Sequence, residues 1–292
     1  MNNINFDNFK VRCSAISQVM AESSESPSIT EKQLQELKDL LDKLVTTDKQ
    51  KERIVELQTK QENSSKVTLS TTCIKYLMAE YSYATTGKIS VDKEFQSVFQ
   101  MDKGRAVEHL SLATLCMVDG VLYTPNDEKK RVSNEFLSGE VDCYLGETII
   151  GSETIPDIKS VWDYPTFLSK LHEKLSLANI WQLKGYGDIT GASNLFIADV
   201  LTTTDEETRN KAKYKLLNKL NCATEESPEF LKQWKIIERS MIFDDIHPKL
   251  RVNKKHVDPI TDFERTKLYD RVKACRDFLN KFHEKRLELI NS

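Results

Sequence analysis

The stretch TIPDIKSVW, residues 154–162, decides how this chain is read. In an extended strand alternate side chains face opposite ways, so Ile155, Asp157, Lys159 and Val161 share a face. An acid and a lysine thus become neighbours on a strand otherwise bounded by apolar residues. Pro156 has no N–H to give to a ladder, which places the strand at a sheet edge or makes it irregular there. The preceding segment GEVDCYL (139–145) alternates too, with Glu140, Asp142 and Tyr144 on one face and Val141, Cys143 and Leu145 on the other. If the two strands form an antiparallel hairpin with an even-length turn around Gly146 or Gly151, Asp142 and Asp157 point to the same face. Two carboxylates and an ammonium would then meet, a set suited to Mg²⁺, which takes one or two carboxylates plus phosphate oxygens. An ordinary cross-strand salt bridge, worth little, is the other reading of the same residues.

Before these strands lies KGRAVEHLSLATL (103–115), which reads as a helix ending at Gly120. Gly104, Glu108, Ser111, Leu112 and Leu115 fall on one stripe. Glu108 is therefore expected to face the core, where an isolated carboxylate is costly unless a metal or a base offsets it. Gly104 would let the helix approach the sheet closely, and His109 on the neighbouring face reads as a satisfied or exposed histidine.

Further out, LSTTCIKYLMAEYSYATTG reads as a helix ending at Gly87, FLSKLHEKLSLANIWQLKGYG as one helix, and LFIADVLTT as an apolar strand. RSMIFDDI reads as a short helix or loop, and DFERTKLYDRVKACRDFLNKFHEKRLEL as the last long helix. Helix, strands, helix, strand, helix is the order of a mixed α/β core. Toward the N-terminus, AESSESPS reads as a linker, followed by a capping box at Thr30 and Gln33 and a stripe of Leu34, Leu37, Leu41 and Leu44. A helical hairpin is expected there, giving a helical segment over 1–65 and a catalytic-type domain over 66–292.

The 292 residues carry 42 Lys and Arg against 45 Asp and Glu, a formal net charge of −3. A protein that merely coats nucleic acid would be plainly basic, so any DNA contact must be local or assisted by metal ions. The six cysteines (13, 73, 116, 143, 222, 275) form no CxxC pair and read as reduced structural thiols, which argues against zinc. MNNINFDNFK has no signal-peptide character, and no apolar run reaches the length of a membrane span. A cytoplasmic protein, in the bacterial host if viral, is the expectation.

KGRAVE (Gly104 to Glu108), GEVD (Gly139 to Asp142), IPDIKS (Asp157 and Lys159) and WQLKGY (Gln182 and Tyr186) stand in that order, followed by the strand within DITGASNLFIADVL. Together they resemble the motifs of PD-(D/E)xK nucleases, most closely the RecB-like and lambda-exonuclease/YqaJ-type viral recombination enzymes. The resemblance covers roughly residues 70–205. It implies a restriction-endonuclease-like α/β core, a mixed central sheet flanked by helices, with an N-terminal helical appendage. It also implies a DNA exonuclease, rather than an endonuclease, acting in phage or bacterial recombination or repair. Glu108, Asp142 and Asp157 would be metal ligands with the Ile158 carbonyl, and Lys159 the catalytic lysine. Gln182 and Tyr186 would orient the site or contact the DNA backbone. The cofactor would be Mg²⁺ or Mn²⁺, and no iron–sulfur cluster is expected.

Arg105, Lys184, Arg251, Lys254 and Lys255 are the candidate DNA-binding cations, the last three from a basic loop at 249–255. They would neutralise backbone phosphates largely independently of sequence. A single-strand annealing protein and further copies of this chain are the other partners considered. The contrasting function is a non-catalytic, nuclease-like DNA-binding or assembly protein that binds a partner through its N-terminal helices.

Overall fold

The computed structural model describes residues 4–22, 29–43, 47–65, 67–88 and 107–291. In chain order the elements are β1 (Val11–Arg12), α1 (Ile16–Val19), α2 (Glu31–Leu41), α3 (Asp48–Ser65), α4 (Thr71–Thr86), α5 (Glu108–Asp119) and β2 (Tyr123–Pro125). Next come β3 (Val132–Ser133), β4 (Leu137–Gly139), β5 (Cys143–Leu145), β6 (Thr154–Val161), α6 (Tyr164–His172) and α7 (Leu177–Thr190). The chain ends with β7 (Asn194–Leu201), α8 (Glu206–Leu220), α9 (Pro228–Arg239), β8 (Val252–Val257) and α10 (Asp262–Asn291). No described helix is long and apolar enough to cross a membrane. Two compact units interleave in sequence: Met1–Ser90 with Ser133–Gly139 and Ile260–Ser292, and Val91–Val132 with Glu140–Pro259.

In the first unit the capping box forms as expected, Thr30 Oγ1 accepting from Gln33 N–H and Gln33 Oε1 from Thr30 N–H. Helices α2 and α3 bury Ile29, Leu37, Leu40 and Leu57 together. Leu40 takes the core position expected of Leu41, which is 54% exposed. The drift is what a period of 3.6 gives over two turns. Leu44 and most of AESSESPS lie outside the described residues. Arg53 forks onto both oxygens of Glu36 across the hairpin, at 2.9 Å each. Helix α10 packs beside α4, where Cys73 and Cys275 bring their sulfurs to 3.7 Å and Tyr81 Oη lies 3.0 Å from His283 Nδ1. Strand β1 pairs in parallel with β4.

The second unit is built on a three-stranded sheet in the order β6-β7-β8. Strand β7, the apolar run LFIADVL, is buried from Leu195 to Leu201 because it lies between two strands and under helices. Strands β6 and β7 are parallel, with Asp157 opposite Ile197 and Lys159 opposite Asp199. Parallel neighbours need a long crossover, and α6 and α7 supply it. The hairpin expected between the Asp142 and Asp157 segments is not formed: β5 pairs with β2, and β6 with β7. GEVDCYL is likewise not one strand; Asp142 occupies a bend just before β5.

Two other expectations are corrected here. The helix expected across FLSKLHEKLSLANIWQLKGYG is two, separated at 173–176 and restarted by Ser176, whose side chain caps Asn179 N–H. The basic loop at 249–255 is largely strand β8, antiparallel to β7. Helices α8 and α9 were not anticipated, although Asp205 caps the first through Thr208 N–H and Pro228 opens the second. They close on Leu216, Phe230, Trp234 and Met241.

Candidate active site

Strand β6 is the edge of its sheet, one of the two outcomes that Pro156 allows. In a parallel strand the N–H and C=O of one residue point to the same side, and successive residues alternate. The Pro156 carbonyl accepts from Cys143 Sγ at 3.8 Å, so the even-numbered positions of β6 face away from β7. The missing proline N–H therefore costs no ladder bond. Ile158, two residues on, aims its N–H at the same side, where Asp142 Oδ2 accepts it at 3.2 Å. Asp142 thus reaches β6 by capturing an open-edge N–H rather than by strand pairing.

Asp157 points elsewhere, into the layer under α7, and is 1% exposed. Its Oδ1 accepts from Gln182 Nε2 at 3.1 Å. Its Oδ2 is 2.7 Å from Lys159 Nζ but receives no directed hydrogen bond. Gln182 Nε2 also donates to Tyr186 Oη at 2.9 Å, and Tyr186 Oη donates to the Glu140 carbonyl at 2.9 Å. The pair one helical turn apart therefore ties Asp157 to the segment that carries Asp142. Close packing makes this reach possible: a Cβ on Gly187 would stand 2.8 Å from Leu195 Cδ1 and 3.1 Å from the Ala192 carbonyl. Only a bare Cα lets α7 lie so near β7.

Glu108 opens α5, in its first turn, where the helix dipole favours an acid. The stripe behaves as expected further along, with Ser111 and Leu115 fully buried. Glu108 itself emerges at its rim, 39% exposed and 3.7 Å from Lys129 Nζ. Ser111 locks the helix to the sheet, its Oγ lying 2.8 Å from both Ser160 Oγ and Thr202 Oγ1. A cavity of about 290 Å³ opens between Glu108, Asp142, Ile158 and the 125–129 loop. Gly104 lies outside the described residues, and His109 is exposed at the cavity wall.

The electrostatics carry a surplus of acid. Burial first, then Asp157, push the Asp142 carboxyl up to about 6; Lys159 opposes this and Glu108 adds to it. Burial also pushes Asp157 up; Lys159 pulls it back, and Asp199 pushes it further. Burial would lower Lys159, but Asp157, Asp142 and Asp199 outweigh it and hold the lysine above its ordinary value, as an ammonium. Among the described residues no three histidine, cysteine or carboxylate side chains converge into a closed metal cage. Hard oxygens are nevertheless what the cavity offers: Glu108, Asp142 and, by strand geometry, the Ile158 carbonyl, while Asp157 does not line it and has its Oδ2 paired with Lys159. That donor set fits a divalent cation of the Mg²⁺ type, which keeps several waters.

The sequence-chosen cations are differently placed. Lys254 Nζ is 2.6 Å from Asp119 and lies over the Phe196 ring. Lys255 Nζ donates to the carbonyls of Lys170 and Glu173 at the end of α6. Arg251 is 9% exposed, with Asp244 3.4 Å away. Lys184 lies over the Trp181 ring, and Arg105 is outside the described residues. Asp199 was not picked out by sequence reasoning, because it stands in an apolar run; it is 2% exposed and 3.2 Å from Lys170 Nζ.

No protein-family model matches the chain, and no curated protein matches it. Solved structures do share its fold. A phage-related exonuclease from Haemophilus somnus 129PT aligns over 96% of this chain and 97% of its own, with a TM-score of 0.58 at 18% identity. The alkaline exonuclease LHK-Exo from Laribacter hongkongensis aligns over 97% and 96%, with a TM-score of 0.51 at 10% identity. Its complex with dAMP covers 97% and 95%, again at 0.51, with 12% identity. The chain therefore shares the mixed α/β fold of these proteins, with helices flanking its sheet, over nearly its whole length.

Proposed function

We propose that the protein is a metal-dependent DNA exonuclease of the PD-(D/E)xK kind, acting in phage or bacterial recombination or repair. One observation carries the reading. Asp142 and Asp157, from segments without a shared ladder, are brought to the same edge strand and held there by Ile158 N–H, Gln182 and Lys159. The similarity in fold to proteins described as exonucleases supports it.

Glu108, Asp142, Asp157 and the Ile158 carbonyl are the residues that would hold the cation. A bound Mg²⁺ or Mn²⁺ would polarise the scissile phosphate and lower the pKa of an attacking water. The chain's own groups do the rest. Lys159, kept protonated by its carboxylate neighbours, places a positive charge where negative charge develops on the phosphate and can donate a proton from Nζ. Gln182 fixes the rotamer of Asp157, and Tyr186 fixes the main chain two residues before Asp142. Such fixed geometry is worth several orders of magnitude in rate when reacting groups must align.

The test is incubation of linear and covalently closed circular DNA with and without Mg²⁺, beside Asp157→Ala. Degradation of linear DNA alone, requiring the metal and lost in the variant, is the expected result. Equal behaviour of the two proteins would leave a non-catalytic DNA-binding scaffold, and cutting of closed circles would make the enzyme an endonuclease.

A further inference from the structure

The loop between β2 and β3 has an unusual construction beside the cavity. Asn126, 5% exposed, braces it: Nδ2 donates to the Lys130 and Val141 carbonyls at 3.0 Å each, and Oδ1 accepts from Lys130 N–H at 2.9 Å. The Asn126 N–H donates to the Asp142 carbonyl at 2.9 Å, and its own carbonyl accepts from Lys129 N–H at 2.9 Å. Lys129, held within this frame, has a φ of 50°, the left-handed conformation that glycine or asparagine takes more easily. Strain of this kind persists only where surrounding contacts over-determine it, and it clusters at functional sites.

The strained backbone puts the lysine on the cavity wall with Glu108, Asp142 and Ile158. The neighbouring cations are more closely engaged: Lys130 with Glu128 at 2.8 Å, Arg131 with Glu140 at 3.3 Å and Lys159 with Asp157 at 2.7 Å. Lys129 stands off at 3.7 Å from Glu108 and is 60% exposed. An ammonium cannot ligate a metal, so a cation held by Glu108 and Asp142 would repel it toward any anion entering the cavity.

We propose that Lys129 is a substrate-positioning residue whose ammonium binds a phosphate oxygen of the DNA strand in the Asp142 cavity, with Glu108 holding it ready. This rests on the nuclease reading for its substrate. Lys129→Gly removes the charge and relieves the left-handed strain together, so loss of folding does not confound it; Lys129→Arg restores the charge.

Equilibrium binding of a phosphorothioate duplex, which resists cleavage, would be followed by fluorescence anisotropy in Mg²⁺ over a range of NaCl. One phosphate contact changes the slope of log K against log salt by about 0.9, or about eightfold in affinity at 0.1 M salt. The expected result is that Lys129→Gly loses about that factor and slope, melts no lower than wild type, raises KM more than it lowers kcat, and is rescued by Lys129→Arg. Unchanged affinity and slope in a glycine variant that melts higher would overturn the proposal, leaving a strained surface lysine. If wild type binds DNA without cleaving it and Lys129→Gly still weakens binding, the phosphate contact stands and the nuclease reading alone fails.

Discussion

Replacing Asp142 with asparagine should stabilise the cation-free protein at alkaline pH while abolishing cleavage. The carboxyl ordinarily titrates near 3.8 and is pushed up to about 6 in the folded chain, first by burial and then by Asp157. A folded-state value above the unfolded one means that the folded chain holds the proton more tightly. Stability therefore falls as pH rises between about 4 and 6, and the penalty is complete above that window. Two pH units at about 1.36 kcal/mol each give a penalty on the order of 3 kcal/mol at pH 8, and about half of it at pH 5. Asparagine keeps an oxygen able to accept Ile158 N–H but carries no charge, so it escapes the penalty and preserves the bond. Urea unfolding in EDTA at pH 5 and pH 8 measures both numbers. Added Mg²⁺ should narrow the gap at pH 8, because a cation favours the ionised aspartate of the wild type. An equal gain at both pH values, or a loss at pH 8, would refute the idea that unbalanced buried charge sets the stability of this site.

Two further predictions concern the supports. Gly187→Ala should destabilise the protein by about 1–3 kcal/mol in denaturant unfolding, since the new methyl would meet Leu195 Cδ1 at 2.8 Å; adding Leu195→Val should recover part of the loss. Ser111→Ala removes the hydroxyl shared by Ser160 and Thr202 and should cost about 1–2 kcal/mol in the same assay. Its kcat should also fall, because the first turn of α5 carries Glu108; full activity would show that α5 needs no such anchor.

The motif residues were legible because each lies in a local pattern. Asp157 and Lys159 share parity on a strand, Gln182 and Tyr186 share a helix face, and both pairs meet as their spacing implied. Glu108 was placed on the right stripe but at its wet end, since periodicity gives a direction and not a depth. The cations of 251–255 were read as loop because Asn253, Lys254 and Lys255 have no apolar alternation. Their strand character comes from pairing with β7, which supplies the hydrogen bonds, while Asp119 and the end of α6 take the charges. Lys129 reads in the sequence only as the first of a basic run, KKR at 129–131, because a left-handed φ at a lysine leaves no mark in composition.

The sequence by itself determined that Asp157 and Lys159 would stand together on one face of a strand either at a sheet edge or irregular, because side-chain alternation and the missing N–H of Pro156 are local covalent facts. Only the tertiary structure decided how Asp142 reaches them. A hairpin would have satisfied the same parity, but β6 pairs with β7 through a crossover, and β5 with β2. The free edge of β6 then had an N–H at Ile158 needing an acceptor, and Asp142 supplies it. Which strands pair depends on burial of the apolar β7 between two neighbours, a non-local gain that no window of sequence contains.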